Sequence, residues 1–179
     1  MKKLGSLILI IGLIFIANNL FAASKAGKIV YVDLSKVFQE HKKTKEANVV
    51  FNKKRIEKQV ELEKMQKAIS KMQEDFKKKE MVLSDEEKEK KREEINNKGR
   101  EMQVFYSGTE REMNDLQAKL TRDILKDINN VIENIAKKKG YSMVINKEMS
   151  INKDSKVNIV LFAEDRLEIT EDVIKGVNK

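Results

Sequence analysis

The chain has 179 residues and a formal charge of +8, with 37 % charged and only 6 % aromatic residues, no cysteine, no proline and one histidine. That balance is too polar for one compact core and fits a long-helix protein. The missing cysteines exclude zinc fingers, iron–sulfur centres, disulfides and thiol nucleophiles, and a single histidine excludes a His-rich metal site.

The chain opens on Met1-Lys2-Lys3, followed by an apolar run from Leu7 to Ile16 and then Leu20-Phe21-Ala22, which supplies a cleavage site. This is the three-part pattern of a secretory signal peptide. The run is well short of the ~20 residues that span a bilayer. No cysteine follows it, so a lipid anchor is excluded; an uncleaved N-terminal anchor is the competing reading. Residues 1–22 are read as a leader, and the mature chain is expected outside the cytoplasm.

After a polar entry, Ile29, Val30, Tyr31 and Val32 are apolar and β-branched-rich and predict a buried strand. Asp33 or Ser35 is placed to cap the helix that follows, since each offers a side-chain oxygen to orphan N–H groups. His41, between Glu40 and Lys42-Lys43, reads as an exposed helix residue.

A first helical arm is expected from about Lys36 to Met81. Its apolar positions include Phe51, Leu62, Met65, Ile69, Met72 and Phe76, and from Leu62 onward they step by 3 or 4 residues as a heptad seam. So narrow a stripe is covered by one partner helix and not by a globular core. At Leu83-Ser84-Asp85-Glu86-Glu87 the pattern breaks, and Ser84 with Glu87 forms the S-x-x-E capping box that starts a second helix. A short connection between two long helices favours an antiparallel hairpin over one continuous rod.

The second arm is expected from about Asp85 to Lys139, with its seam at Ile95, Met102, Tyr106, Met113, Leu116, Leu120, Ile124, Ile128, Val131 and Ile135. The stretch from Ile124 to Ile135 is richest in aliphatics and should be the base, packed on the strands. Gly99 and Gly108 mark either local bends or tolerated surface positions. Lys137-Lys138-Lys139-Gly140 closes the arm, with cations at the negative helix end and Gly at C′. At about 1.5 Å per residue, arms of this length reach roughly 70–80 Å.

Beyond Gly140, Tyr141 to Ile145 reads as a second strand and Val157 to Phe162 as a third. Thr170 is expected to cap a short final helix whose apolar face is Val173, Ile174 and Val177. The fold class is thus α+β: a long antiparallel helical hairpin over 36–139, with its tip near 82–85, projecting from a small β-rich body formed by 23–35 and 140–179. That body, about 52 residues, is marginal for an independent core, and open strands leave bare edges. The bodies are therefore expected to associate through their strands. Ile29, Val30, Tyr31, Val32, Met143, Val144, Ile145, Ile159, Val160 and Leu161 are the candidates for this contact.

Thin apolar seams among dense charge suit arms that stay soluble while offering contacts to other chains. Met65, Met72, Met81, Met102 and Met113 lie on the arms, and Met-rich surfaces adapt to varied partners; packing between the arms is their alternative role. Met81, Val82 and Leu83 at the tip, with Phe76, Met102 and Phe105, are the candidate contact residues. The basic excess lies on the helices and favours acidic partners. Nucleic acid is not expected, because interleaved acids offset most of that charge and the leader directs the chain elsewhere. No clustered carboxylates, phosphate loop or nucleophile suggest an enzyme, and no cofactor or metal is expected.

Three segments in this order resemble the Skp/OmpH family of periplasmic chaperones: Lys-Ile-Val-Tyr-Val-Asp-Leu-Ser-Lys-Val-Phe-Gln-Glu (28–40), Lys-Gly-Tyr-Ser-Met-Val-Ile (139–145), and Asp165 to Asn178 with Glu-Ile-Thr-Glu-Asp-Val-Ile-Lys (168–175). The resemblance spans essentially the whole chain. It implies a periplasmic homotrimer whose bodies form a small barrel, hairpins that hang as tentacles, and ATP-independent holding of unfolded outer-membrane proteins. It also implies contact with lipopolysaccharide, without assigning residues to it, and the basic excess on the helices suits anionic lipid as well. A coiled-coil scaffold of the envelope, with no client, is the competing function.

Overall fold

The computed structural model describes residues 27–152 and 155–179. The leader expected over residues 1–22 lies outside the described residues. The elements in chain order are β1 (Lys28–Val32), α1 (Leu34–Glu40), α2 (Lys42–Lys79), α3 (Asp85–Lys139), β2 (Tyr141–Asn146), β3 (Glu148–Ser150), β4 (Lys156–Asn158), a 3-10 turn (Asp165–Leu167) and α4 (Thr170–Val177). They fall into two compact units, one of residues up to Lys36 with Asn130–Gly176, the other of Val37–Asn129 with Val177–Lys179.

In the first unit, β1 and β2 pair in parallel, with Val30 opposite Val144 and Val32 opposite Asn146. Parallel strands need a long crossover, and here the helices supply it. Val30, Tyr31 and Val32 are buried, as their apolar run predicts. Asp33 caps α1, its carboxylate accepting from the Lys36 N–H at 2.9 Å. Asn146 Oδ1 accepts from the Leu34 N–H at 3.2 Å and so ties the end of β2 to the start of that helix.

Two expectations for this unit are corrected. The strand expected over 157–162 ends at Asn158. β4 pairs antiparallel with β3, Glu148 opposite Asn158 and Ser150 opposite Lys156, as a sheet separate from β1 and β2. The N–H groups of Ile159 and Val160 both donate to the Lys147 carbonyl, at 2.9 and 3.2 Å. Two successive donors on one acceptor turn the chain out of any ladder, where successive groups point to opposite edges. The second correction is Thr170, which opens α4 rather than capping it. The Ile169 carbonyl accepts the Val173 N–H at 3.0 Å. The Thr170 hydroxyl instead accepts from the Asp33 N–H at 2.9 Å and donates to Glu168 at 2.7 Å. With the Ile169 N–H on the Tyr31 carbonyl at 2.9 Å, the Glu168–Thr170 segment covers one edge of β1. Val173 and Ile174 are buried, as expected of the apolar face of α4. The base of α3 packs on this helix: a Cβ added at Gly176 would come within 2.4 Å of Val131 Cγ1 and 3.9 Å of Ile135 Cδ1.

In the second unit, the first arm is broken where an unbroken helix was expected. His41 has an extended backbone (φ −67°, ψ 127°) between α1 and α2. It was expected to be exposed, yet its side chain is 2 % exposed. Burial of this side chain, with no glycine or proline nearby, marks the break. Beyond it α2 runs unbroken to Lys79 and α3 starts at Asp85. α3 continues through Gly99 and Gly108, where an added Cβ meets nothing within 4 Å, so both are tolerated surface positions. Gly140, with φ +69°, ends α3 in the left-handed conformation that favours glycine. Acidic Asp85, Glu86 and Glu87 in its first turn and Lys137, Lys138 and Lys139 in its last complement the helix dipole.

Candidate functional surface of the hairpin

Polar contacts between α2 and α3 fix an antiparallel register. Lys43 pairs with Asp127, Lys54 and Lys58 both pair with Glu112 at 3.2 and 2.8 Å, and near the tip Arg92 pairs with Glu80 at 3.1 Å. The two lysines hold the Glu112 carboxyl below the usual carboxylate range, chiefly through hydrogen bonds from Lys58 and then Lys54. The Lys58 ammonium also stands 5.1 Å from the centre of the Phe105 ring, a cation–π contact.

Between these clasps runs the apolar seam. Ile69, Ile124 and Ile128 are buried, whereas Phe51, Leu62, Met65, Met72, Ile95, Met102, Met113, Leu116 and Leu120 are only half-buried. Two helices alone cannot close a seam completely, which is why its residues stay partly wet. Tyr106, expected in the seam, is 52 % exposed, and the adjacent Phe105 turns inward instead. The register of the seam runs through Met102 and Phe105, three residues apart, so Tyr106 falls beside it.

The candidate contact residues divide into two groups. Phe76 and Leu83 line a cavity of about 290 Å³ with Met72, Ile95, Asp75, Lys79 and Lys91, and the Arg92 guanidinium lies 5.6 Å from the Phe76 ring centre. Met102 and Phe105 are likewise half-buried against the opposite arm. Met81 and Val82 stand free at the tip, 97 % and 84 % exposed. Of the residues expected in body contacts, Val30, Tyr31 and Val32 are buried within the first unit, and Val144, Ile145 and Val160 are half-buried. Ile29, Met143 and Ile159 are about half exposed, and Leu161 is 88 % exposed beside Phe162.

One apolar surface escaped the sequence reading. Val49, Ile56 and Val60 on α2 are exposed, with Val50 next to them and Val104 on α3. Val49, Ile56 and Val60 are spaced by 7 and then 4 residues, which places them on one helix face, opposite Phe51 and the seam. The signal was a second heptad-like spacing in the same helix, hidden by the lysines between its members.

Among the described residues, no helix is long and apolar enough to cross a membrane, and no group of His, Cys, Asp or Glu is placed to hold a metal ion. The hairpin therefore offers partly wet seams, an exposed tip and a stripe of isolated aliphatics, all set in dense charge.

Residues 28–177 match the model of the family described as outer membrane protein (OmpH-like). The fold is similar to that of an OmpH-like candidate outer membrane chaperone from Caulobacter crescentus CB15, solved at 2.83 Å, with a TM-score of 0.74 and 12 % sequence identity over 85 % of this chain and 84 % of that one. No match was found among curated proteins. With 28–177 matched and a long antiparallel helical hairpin joined to small β-sheets, the chain belongs to the OmpH-like outer membrane protein family.

Proposed function

We propose that this protein is an ATP-independent holdase chaperone of the periplasm, which binds unfolded outer-membrane proteins between the helical arms of its assembled subunits and keeps them from aggregating in transit. The observation that carries this reading is the exposure of single aliphatic side chains, Val49, Ile56, Val60, Val104, Met81 and Val82, on helices otherwise covered in charge. A holdase needs apolar contacts that are open to an unfolded chain yet too dispersed to aggregate with one another; contiguous apolar patches are what drive association. Family membership and the fold shared with a candidate outer membrane chaperone support the same reading.

Assembly belongs to the proposal. The first unit leaves the outer edge of β2 without a strand partner among the described residues and exposes Ile29, Met143, Leu161 and Phe162. Open edges and exposed aliphatics of this kind are normally covered, and a homotrimer joined through these bodies would cover them.

The test is light scattering during dilution of a urea-unfolded outer-membrane β-barrel. A roughly stoichiometric amount of this protein should suppress the scattering without nucleotide. If scattering is unchanged while the protein stays folded, the chaperone reading fails and the scaffold reading takes its place. Sedimentation as a monomer at micromolar concentration would remove the assembly part alone.

A further inference from the structure

The break at His41 leaves backbone groups that one distant side chain satisfies. An interrupted helix strands carbonyls before the break and N–H groups after it. Here the His41 N–H still donates to the Val37 carbonyl at 3.0 Å, and the His41 carbonyl accepts from the Thr44 N–H at 2.9 Å. The Glu40 carbonyl and the Lys42 N–H, on either side, are taken by Asn178. Its Nδ2 donates to the Glu40 carbonyl at 3.1 Å, and its Oδ1 accepts from the Lys42 N–H at 2.8 Å. The Lys42 ammonium then donates to the Asn178 backbone carbonyl at 3.0 Å. All of these residues lie in one compact unit.

A carboxamide carries a neutral donor and a neutral acceptor side by side. It can therefore replace the missing peptide group on both sides of a break. The His41 ring gives the joint no directional bond of its own: it is 2 % exposed, and neither nitrogen has a hydrogen-bond partner among the described residues. Burial of the ring adds packing at the joint but no hydrogen bond. The Lys42 ammonium reaches only the Asn178 backbone carbonyl, and the side chain that bonds the backbone on both sides of the break is that of Asn178.

We propose that Asn178 is a positioning residue, a clamp on the α1–α2 joint whose side-chain amide fixes the angle at His41. With the clamp closed, the first turn of α2 is held to the last turn of α1. With it open, the angle between those two turns at His41 varies.

The chain has no native cysteine, so a spin-label pair at Gln39→Cys and Lys53→Cys, both exposed positions, reports the joint in the whole protein. In the otherwise native chain the distance distribution should be narrow. Asn178→Ala should broaden it and speed hydrogen exchange at the amides of residues 42–45 by about tenfold, the effect of losing the side-chain hydrogen bonds there. Exchange around Ile128 should not change. Asn178→Asp keeps the acceptor for Lys42 but turns an oxygen toward the Glu40 carbonyl, and should fall between the two. An unchanged distribution and unchanged exchange in folded Asn178→Ala would overturn the clamp. So would exchange accelerated evenly along both arms, which would make Asn178 a general stabiliser. If Asn178→Ala does not fold, Asn178→Asp is judged by the same two readouts and the same criteria.

Discussion

Ser84 and Glu87 close on each other at the tip of the hairpin: the Glu87 carboxylate accepts from the Ser84 N–H at 2.8 Å and from its hydroxyl at 2.7 Å, while the Ser84 oxygen accepts from the Glu87 N–H at 3.3 Å. The hydrogen bonds from Ser84 to the charged form hold the Glu87 carboxyl below its ordinary value of 4.5. A carboxyl lowered in the folded state contributes stability that is complete above its unfolded value and is lost as pH falls through the lowered folded value.

Ser84→Ala should therefore speed exchange of the first amides of α3 about fivefold at pH 7, the effect of losing an N-cap of about 1 kcal/mol. Glu87→Gln should act in the same direction. Both differences from the native protein should shrink as the pH is lowered below 4.5, and exchange measured at pH 7 and in acid checks this. A difference that grows in acid would contradict the reciprocal cap.

The glycines within helices should behave in opposite ways. Gly99 and Gly108 face open space, so Gly→Ala at each should stabilise α3 by about 1 kcal/mol through helix propensity alone. Gly176→Ala should destabilise by about 1–3 kcal/mol, because a Cβ 2.4 Å from Val131 Cγ1 forces the helices apart. Val131→Ala in the Gly176→Ala background should recover part of the loss. Urea unfolding of the three single variants and the double variant decides the matter.

Replacing His41 with leucine should leave the protein as stable as before, or more stable by about 1 kcal/mol. A buried imidazole with both nitrogens unpartnered carries the desolvation cost of those groups, and an apolar side chain of similar size does not. A clear drop in the thermal midpoint of His41→Leu would mean that the ring makes a polar contact essential to the joint.

The outward stripe on α2 should carry client contacts. Val49→Gln, Ile56→Gln and Val60→Gln together leave charge unchanged, do not lower helix propensity and remove the exposed aliphatics. Helicity by circular dichroism should be retained, while several-fold more protein is needed to suppress client aggregation. Equal protection by the triple variant would move the contacts to the tip, where Met81→Gln with Val82→Gln is the matching test.

Local chemistry made much of this molecule legible. The strand Ile29–Val32, the Asp33 cap, the Ser84–Glu87 box and the Gly140 stop each follow from the residue and its near neighbours, because caps and turns are set by groups a few residues apart. The contact surface was legible only in part. Met81 and Val82 stand free as a polar tip would leave them, but Phe76, Met102 and Phe105 are engaged between the arms, and the stripe on α2 lay behind its lysines.

The sequence by itself determined the two long helices, their turn and the apolar seam that pairs them, since a periodic stripe has one way to be buried by a single neighbour. The tertiary structure decided where long-range partners override local pattern. Val157 to Phe162 has strand composition throughout, yet the Lys147 carbonyl takes two successive donors and ends the strand at Asn158. Thr170 has the composition of a cap, yet its hydroxyl is taken by Asp33. His41 sits in a polar, helical stretch, yet it is buried at a break that Asn178 spans. In each case the deciding hydrogen bond or buried surface comes from a residue distant in the chain, and no local window contains it.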